Sequence, residues 1–261
     1  MYGVRVLDQD SPDLRSALAL LKDLMLCRLE DHADQVSYTS RLDFYFEHNV
    51  FLRNLCRRND GRFSCRNATY VSEVCRAAEL HVVKVLRLSL KWLRLLLEDS
   101  ELDLQVVYLA RDPRAVLSSR VKEAWCTRSC QSFEAICSLL EADLQEATLL
   151  LKEYPTRFKF INYDQVCGDA QASLKDVMAF LNLPVTRQQE VLLPSRRIGH
   201  HSAETYSRAD LWRRGTSFTQ IVVPVQNSCS LALKKLGLRT FVSENDLLDL
   251  RVPTLAGSSG L

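Results

Sequence analysis

The chain has 261 residues, a formal charge of +2, 47% hydrophobic residues and 25% charged ones. That is enough apolar material for one substantial core, and a charge so close to zero gives no bulk-electrostatic argument for a nucleic-acid or membrane-surface binder. Only local arginine clusters are left to meet an anion. Nine cysteines favour an oxidising lumen, and their odd number leaves at least one thiol free or paired to another chain.

Met1-Tyr2-Gly3-Val4-Arg5 begins neither a signal peptide nor a membrane-spanning run, and the apolar stretch Leu86–Leu97 is interrupted by Arg87, Lys91 and Arg94, so a soluble chain is expected. Ser11-Pro12-Asp13 is a helix start. The leucines from Leu18 to Leu29 recur at helical spacing, which predicts an amphipathic packing helix. Asp34–Asn54 has no clear period, although Phe44, Tyr45 and Phe46 should bury against something. Cys56–Cys75 gathers three cysteines, a glycine and the glycosylation sequon Asn67-Ala68-Thr69, which predicts a disulfide-stapled luminal loop glycosylated at Asn67.

His81–Leu86 reads as a strand. Ser89 is placed to cap a helix over Leu90–Glu98, which returns the chain to a second strand at Gln105–Ala110, a parallel crossover. Lys84 is expensive to bury within the first strand. It either faces an anion at the strand's end or snorkels at an edge, and its own residues leave both open.

The chain is organised around Leu104–Arg120, LQVVYLARDPRAVLSSR. Gln105–Ala110 is a β-branched and aromatic run that reads as a strand buried on both faces of a parallel sheet. Arg111-Asp112-Pro113-Arg114 then puts two guanidiniums around a helix start, with Asp112 able to cap and Pro113 at the first helical position. A strand feeding a helix N-terminus beside fixed positive charge is how α/β proteins hold phosphate; a surface turn with solvated arginines is the plainer reading.

Val107–Val116 and Ser119-Arg120 resemble the 3′-phosphate-binding segment of the Golgi carbohydrate sulfotransferases, in the branch that sulfates the 6-hydroxyl of galactose or N-acetylglucosamine. The resemblance implies an α/β fold of sulfotransferase type, a P-loop-like parallel sheet flanked by helices. It implies that Arg111 and Ser119 hold the 3′-phosphate of 3′-phosphoadenylyl sulfate (PAPS). Lys84 and Arg87 match a lysine and an arginine of the family, while Leu86 stands where more distant cytosolic sulfotransferases carry a histidine. The family holds the 5′-phosphosulfate in a glycine- and serine-rich loop after its first strand. No stretch near Met1 resembles it and no G-x-x-x-x-G-K-[ST] pattern occurs, so the first strand and its loop are expected to be missing, together with a membrane anchor on an upstream segment.

Ser132–Tyr154 has helical spacing. Cys126, Cys130 and Cys137 near its start read as core thiols or a local disulfide rather than a metal site, and Glu123, Glu134 and Glu141 as solvated charges. Phe158–Asp164 alternates like a strand ending in a turn. It resembles the family's Arg-Tyr-Glu-Asp segment, with Asn162 in place of the arginine and Asp164 as the acidic residue. A helix over Asp169–Leu181 follows. The basic stretch Ser195–Arg214, which includes His200 and His201, reads either as a cationic lid or as an ordinary exposed loop. Leu211-Trp212-Arg213-Arg214 resembles the family's Trp-Arg element, which implies Arg213 in the phosphate shell. Phe218–Leu236 is the last helix, kinked or delayed by Pro224, and residues 250–261 should form a disordered tail after a single domain over residues 1–249.

The sequence therefore reads as a carbohydrate sulfotransferase that moves a sulfuryl group from PAPS to a 6-hydroxyl of N-acetylglucosamine or galactose, in glycans such as keratan sulfate, on the luminal side of the Golgi. Arg111, Ser119 and Arg213 are expected to bind the cofactor, and Lys84 and Arg87 to stabilise developing charge. No metal and no nucleic acid is expected, and the partner is a glycan acceptor. The alternative is an inactive relative that binds nucleotide or glycan.

Overall fold

The computed structural model describes residues 12–41, 49–58, 65–86, 88–124, 126, 128–189 and 208–257. Phe44–Phe46, Arg87, His200 and His201 lie outside the described residues. In place of the single domain expected from sequence, the chain divides into two compact units, Arg5–Leu88 with Leu95–Asp103, and Met1–Val4 with Ser89–Arg94 and Leu104–Leu261.

The first unit is helical. Helix α1 (Pro12–Met25) opens on its proline and closes in a reverse turn in which the amides of Cys27 and Arg28 bond back to Leu24 and Asp23. Cys27 takes the left-handed position of that turn, φ 56°, where glycine is usual, and its disulfide to Cys75 holds it there. Helices α2 (Ala33–Arg41), α3 (Val50–Arg58) and α4 (Ala68–Arg76) follow. Leu29, Val36, Ala68 and Val71 form their shared core with Leu52.

Two expectations are corrected in this unit. Much of the stretch predicted as a stapled loop lies in α3 and α4, where helical burial of Ala68 and Val71 overrides the polar composition; Asn67, exposed, caps α4 by accepting from the Tyr70 amide. His81–Leu86 joins no ladder and is exposed along its length, with Val82 84% accessible, so Lys84 is a solvated side chain and not a strand lysine forced toward an anion.

A 3-10 turn at Leu90–Trp92, in the second unit, runs into α5 (Leu93–Leu97), whose residues from Leu95 on count with the first. Ser89 does not cap it. Asp143, far along the chain, does so by accepting 2.8 Å bonds from the Ser89 hydroxyl and the Leu90 amide. Strand β1 (Val106–Ala110) leads into α6 (Pro113–Arg120), and α7 (Phe133–Glu153), capped by Ser132, carries the chain back to β2 (Phe158–Asn162). The two strands pair in parallel, Val106 opposite Phe158 through Ala110 opposite Asn162. In β1 only Ala110 is buried and Leu109 is 52% accessible, so β1 is not covered on both faces as the sequence suggested.

Asn162 caps α8 (Tyr163–Gly168), a helix where a turn was predicted, and α9 (Ala170–Phe180) follows. After a 3-10 segment at Arg208–Gly215 come a π-helical turn at Phe218–Val222, α10 (Val223–Ser228) and α11 (Ser230–Lys235). The predicted last helix is thus in pieces. Pro224 has no N–H for the turn before it and sits in the first turn of α10. The core gathers Leu117, Ile136, Leu144, Val225, Leu233 and Leu236, and the Cys137–Cys229 disulfide lies inside it.

Beyond Gly237, φ 68°, comes α12 (Glu244–Leu248). The predicted disordered tail is docked as far as residue 257. Leu255 bridges Leu238, and buried Thr254 donates its amide to Asp210 at 2.9 Å. No helix among the described residues is long and apolar enough to cross a membrane.

Candidate functional site at the carboxyl end of the parallel pair

The two strands end side by side at Ala110 and Asn162, and the residues that follow each strand build the site. In an open α/β sheet this carboxyl edge is where ligands collect.

Asp112 and Pro113 start α6 as their types predict, with the Asp112 carboxylate accepting from the Arg114 amide at 2.8 Å. The two guanidiniums that flank this turn have opposite fates. Arg114 is fully buried. Its Nε and Nη2 fork onto Asp112, Nη1 donates to Gln226 and to the Arg239 carbonyl, and its plane lies between the rings of Trp212 and Phe241. Arg114 is spent on the fold.

Arg111 is half-buried, stacks over the Tyr163 ring at 4.7 Å, and its buried Nε has no acceptor among the described residues. A buried guanidinium N–H without an acceptor is costly unless a ligand supplies one. Ser119 is exposed on the last turn of α6, whereas its neighbour Ser118 is buried against the Thr216 hydroxyl at 2.5 Å. Gly215 brings the 3-10 segment to the same helix: a Cβ there would lie 3.6 Å from the Lys122 ammonium.

Arg213 does not join them. It is fully buried, and its five N–H groups are taken by the carbonyls of Leu247, Val252, Asp246 and Asp249 and by the Asp210 carboxylate. Three of those carbonyls belong to the end of α12, whose last turn has no helical donors of its own. The expectation that Arg213 binds phosphate is thereby corrected, since it has no donor left to give. Lys84 lies in the first unit, and Arg87 outside the described residues.

The sequence did not single out Tyr163 and Asp164 for the site. Asp164 is 4% accessible and its Oδ2 has no hydrogen-bond partner among the described residues. Burial, together with the neighbouring carboxylates of Asp112 and Asp210, pushes its carboxyl up to about 7, against the opposing pull of the Asp112 amide and Arg111. Its place directly after a strand predicted to end beside another was the available signal.

Cys27, Cys75 and His81 place three possible ligand atoms within 4.8 Å, but the two sulfurs are bonded to each other and neither offers a thiolate. Cys126 pairs with Cys130, Cys65 is also disulfide-bonded, and Cys167 is the free thiol among the described residues.

A parallel pair whose carboxyl edge presents an arginine with an open donor, followed by a helix with an exposed serine, makes a candidate anion site. Residues 88–203 match the family described as Sulfotransferase domain. Human carbohydrate sulfotransferase 3 is 26% identical over 271 residues, covering 84% of this chain and 55% of that protein. Human carbohydrate sulfotransferase 6 is 29% identical over 222 residues, covering 71% and 55%. Carbohydrate sulfotransferase 1 of Rattus norvegicus is 23% identical over 207 residues, covering 69% and 50%. These similarities are to carbohydrate sulfotransferases, the enzymes that its central segment resembles. The chain spans about half the length of the curated relatives it matches. No solved structure matches it.

Proposed function

We propose that this chain is the nucleotide-holding part of a carbohydrate sulfotransferase, transferring a sulfuryl group from PAPS to a sugar hydroxyl, with the 6-hydroxyl of galactose or N-acetylglucosamine as acceptor and the Golgi lumen as its place of action. The observation that carries the reading is Arg111, a half-buried cation at the carboxyl end of β1 whose Nε has no acceptor among the described residues. Its chemistry fits a phosphate, which supplies acceptor oxygens and charge together.

In this reading Arg111 binds the 3′-phosphate by charge-assisted hydrogen bonds, Tyr163 keeps the guanidinium plane fixed by stacking on it, and Ser119 donates a neutral hydrogen bond. The bound donor supplies the sulfuryl group, and the protein contributes position and positive charge to an in-line transfer. Asn67 is the proposed glycosylation site: its Oδ1 holds the helix cap while a glycan would join its Nδ2.

A calorimetric titration with adenosine 3′,5′-bisphosphate tests the reading. Binding that Arg111→Ala weakens by about tenfold or more, the usual worth of a charge-assisted contact, is the expected result. No binding by the folded chain would overturn it. A second reading, a domain that binds nucleotide without turnover, is favoured by the withdrawal of Arg213 into the core, and a radiolabelled transfer assay with keratan-type acceptors separates the two.

A further inference from the structure

Three carboxylates converge behind the proposed phosphate site, and they are not equivalent. Asp112 follows β1 and is held bidentately by Arg114. Asp210, on the 3-10 segment packed against α8, pairs with Arg213 and accepts from the Thr254 amide and hydroxyl. Asp164, on α8, has no ion-pair partner among the described residues; the cation acting on it is Arg111, and Cys167 on its own helix is the remaining titratable neighbour. Two of the three acids therefore have arginines of their own, and the third shares one with whatever anion Arg111 binds.

Charge then dictates a coupling. With Asp164 ionised, its field offsets Arg111 and repels an incoming phosphate. With Asp164 protonated, Arg111 is left uncompensated and attracts one. An anion on Arg111 in turn makes the ionised carboxylate harder to sustain, so the two events favour each other by the same factor.

We propose that Asp164 is a proton-taking positioning residue of the Arg111 site, so that the 3′-phosphate of the nucleotide is captured together with a proton on the Asp164 carboxyl. This rests on the reading of Arg111 given above. The burial of Asp164, its unpartnered oxygen and the prior engagement of Asp112 and Asp210 carry it, and the upward push of its carboxyl places the switch near neutrality. Capture is favoured on the acid side of that range and weakens as the pH rises through it.

The test is calorimetry with adenosine 3′,5′-bisphosphate at pH 6 and pH 8 on the whole chain and on Asp164→Asn, which mimics the protonated form in shape and charge. The nucleotide's own phosphates gain charge over this range in both proteins and cancel in the ratio. The wild-type affinity, relative to Asp164→Asn, should fall about five- to tenfold from pH 6 to pH 8, a coupling of ordinary size for two linked sites. A purely structural role would lower affinity equally at both pH values, and such parallel profiles overturn the proposal.

Titration of the wild type at pH 7 in two buffers of different ionisation enthalpy gives a second readout that does not depend on the variant folding. Net proton uptake on binding is expected, whereas a phosphate settling on a cation would by itself release protons; net release overturns the inference. Absence of binding by either protein at both pH values would instead remove the Arg111 reading, and this inference with it.

Discussion

Arg111, just ahead of α6, and Arg213, within the 3-10 segment, both resemble cofactor elements of the same family, yet the fold uses them in opposite ways. Around Arg213 every guanidinium N–H has a protein acceptor, mostly carbonyls at the end of α12, and all three guanidinium nitrogens of Arg114 are engaged, by Asp112, Gln226 and the Arg239 carbonyl. Around Arg111 a donor is open, the stacking partner is a tyrosine, and the nearby acid has lost its other oxygen to burial without a partner. A saturated arginine holds structure together. An unsaturated one is available to a ligand, and the count of donors against acceptors distinguishes them where sequence position does not.

The largest effect should come from the saturated side. Arg213→Ala or Arg114→Ala leaves a buried carboxylate without its cation and several carbonyls without donors, and should destabilise the second unit by about 3–5 kcal/mol, enough to populate unfolded chain in a urea titration. If either variant kept wild-type stability while losing nucleotide, the contrast drawn here would collapse. Arg111→Ala should do the reverse, losing nucleotide affinity by about tenfold or more while the denaturation midpoint stays close to wild type.

Asp164→Asn sharpens the contrast through pH. The folded carboxyl lies near 7, above its value in the unfolded chain, so the folded state holds the extra proton from roughly pH 4 to 7. The stability linked to this group is therefore complete below about pH 4, falls progressively as the pH rises from there, and is fully lost above about 7. An asparagine side chain cannot ionise, so the Asp164→Asn variant should melt several degrees above wild type at pH 8 and much closer to it at pH 4, as read by differential scanning calorimetry. Equal melting shifts at both pH values would mean that the carboxylate is paired after all. The smallest effect is expected from Ser119→Ala, a neutral, exposed donor whose loss should weaken nucleotide binding only several-fold and leave stability unchanged.

Local chemistry made much of the fold legible. The strand, cap and proline of Val106–Pro113 form as their types require, and Ser132 opens the long helix α7 by accepting from the Ala135 amide at 3.1 Å. His81–Leu86 failed for a physical reason: β-branched residues favour a strand only where a neighbouring strand exists to pair with them, and here nothing joins them in a ladder. The tail failed in the other direction. Its polar, glycine-containing sequence gives no hint of the Asp210 carboxylate that holds Thr254 in place. At the site, the Arg111 position was legible from its place between strand and cap, while the role of Asp164 was not, because nothing near it in sequence shows that Asp112 and Asp210 already have their arginines.

The sequence by itself determined where the parallel strands end, which residues start the helices after them, and hence that a cation would stand at the carboxyl edge. Those are local matters of φ restriction, capping and side-chain shape, settled within a few residues. Only the tertiary structure decided which arginine keeps its donors open. Hydrogen-bond satisfaction in a buried region depends on groups more than 100 residues apart, such as Arg114 with Gln226, and no local pattern encodes it.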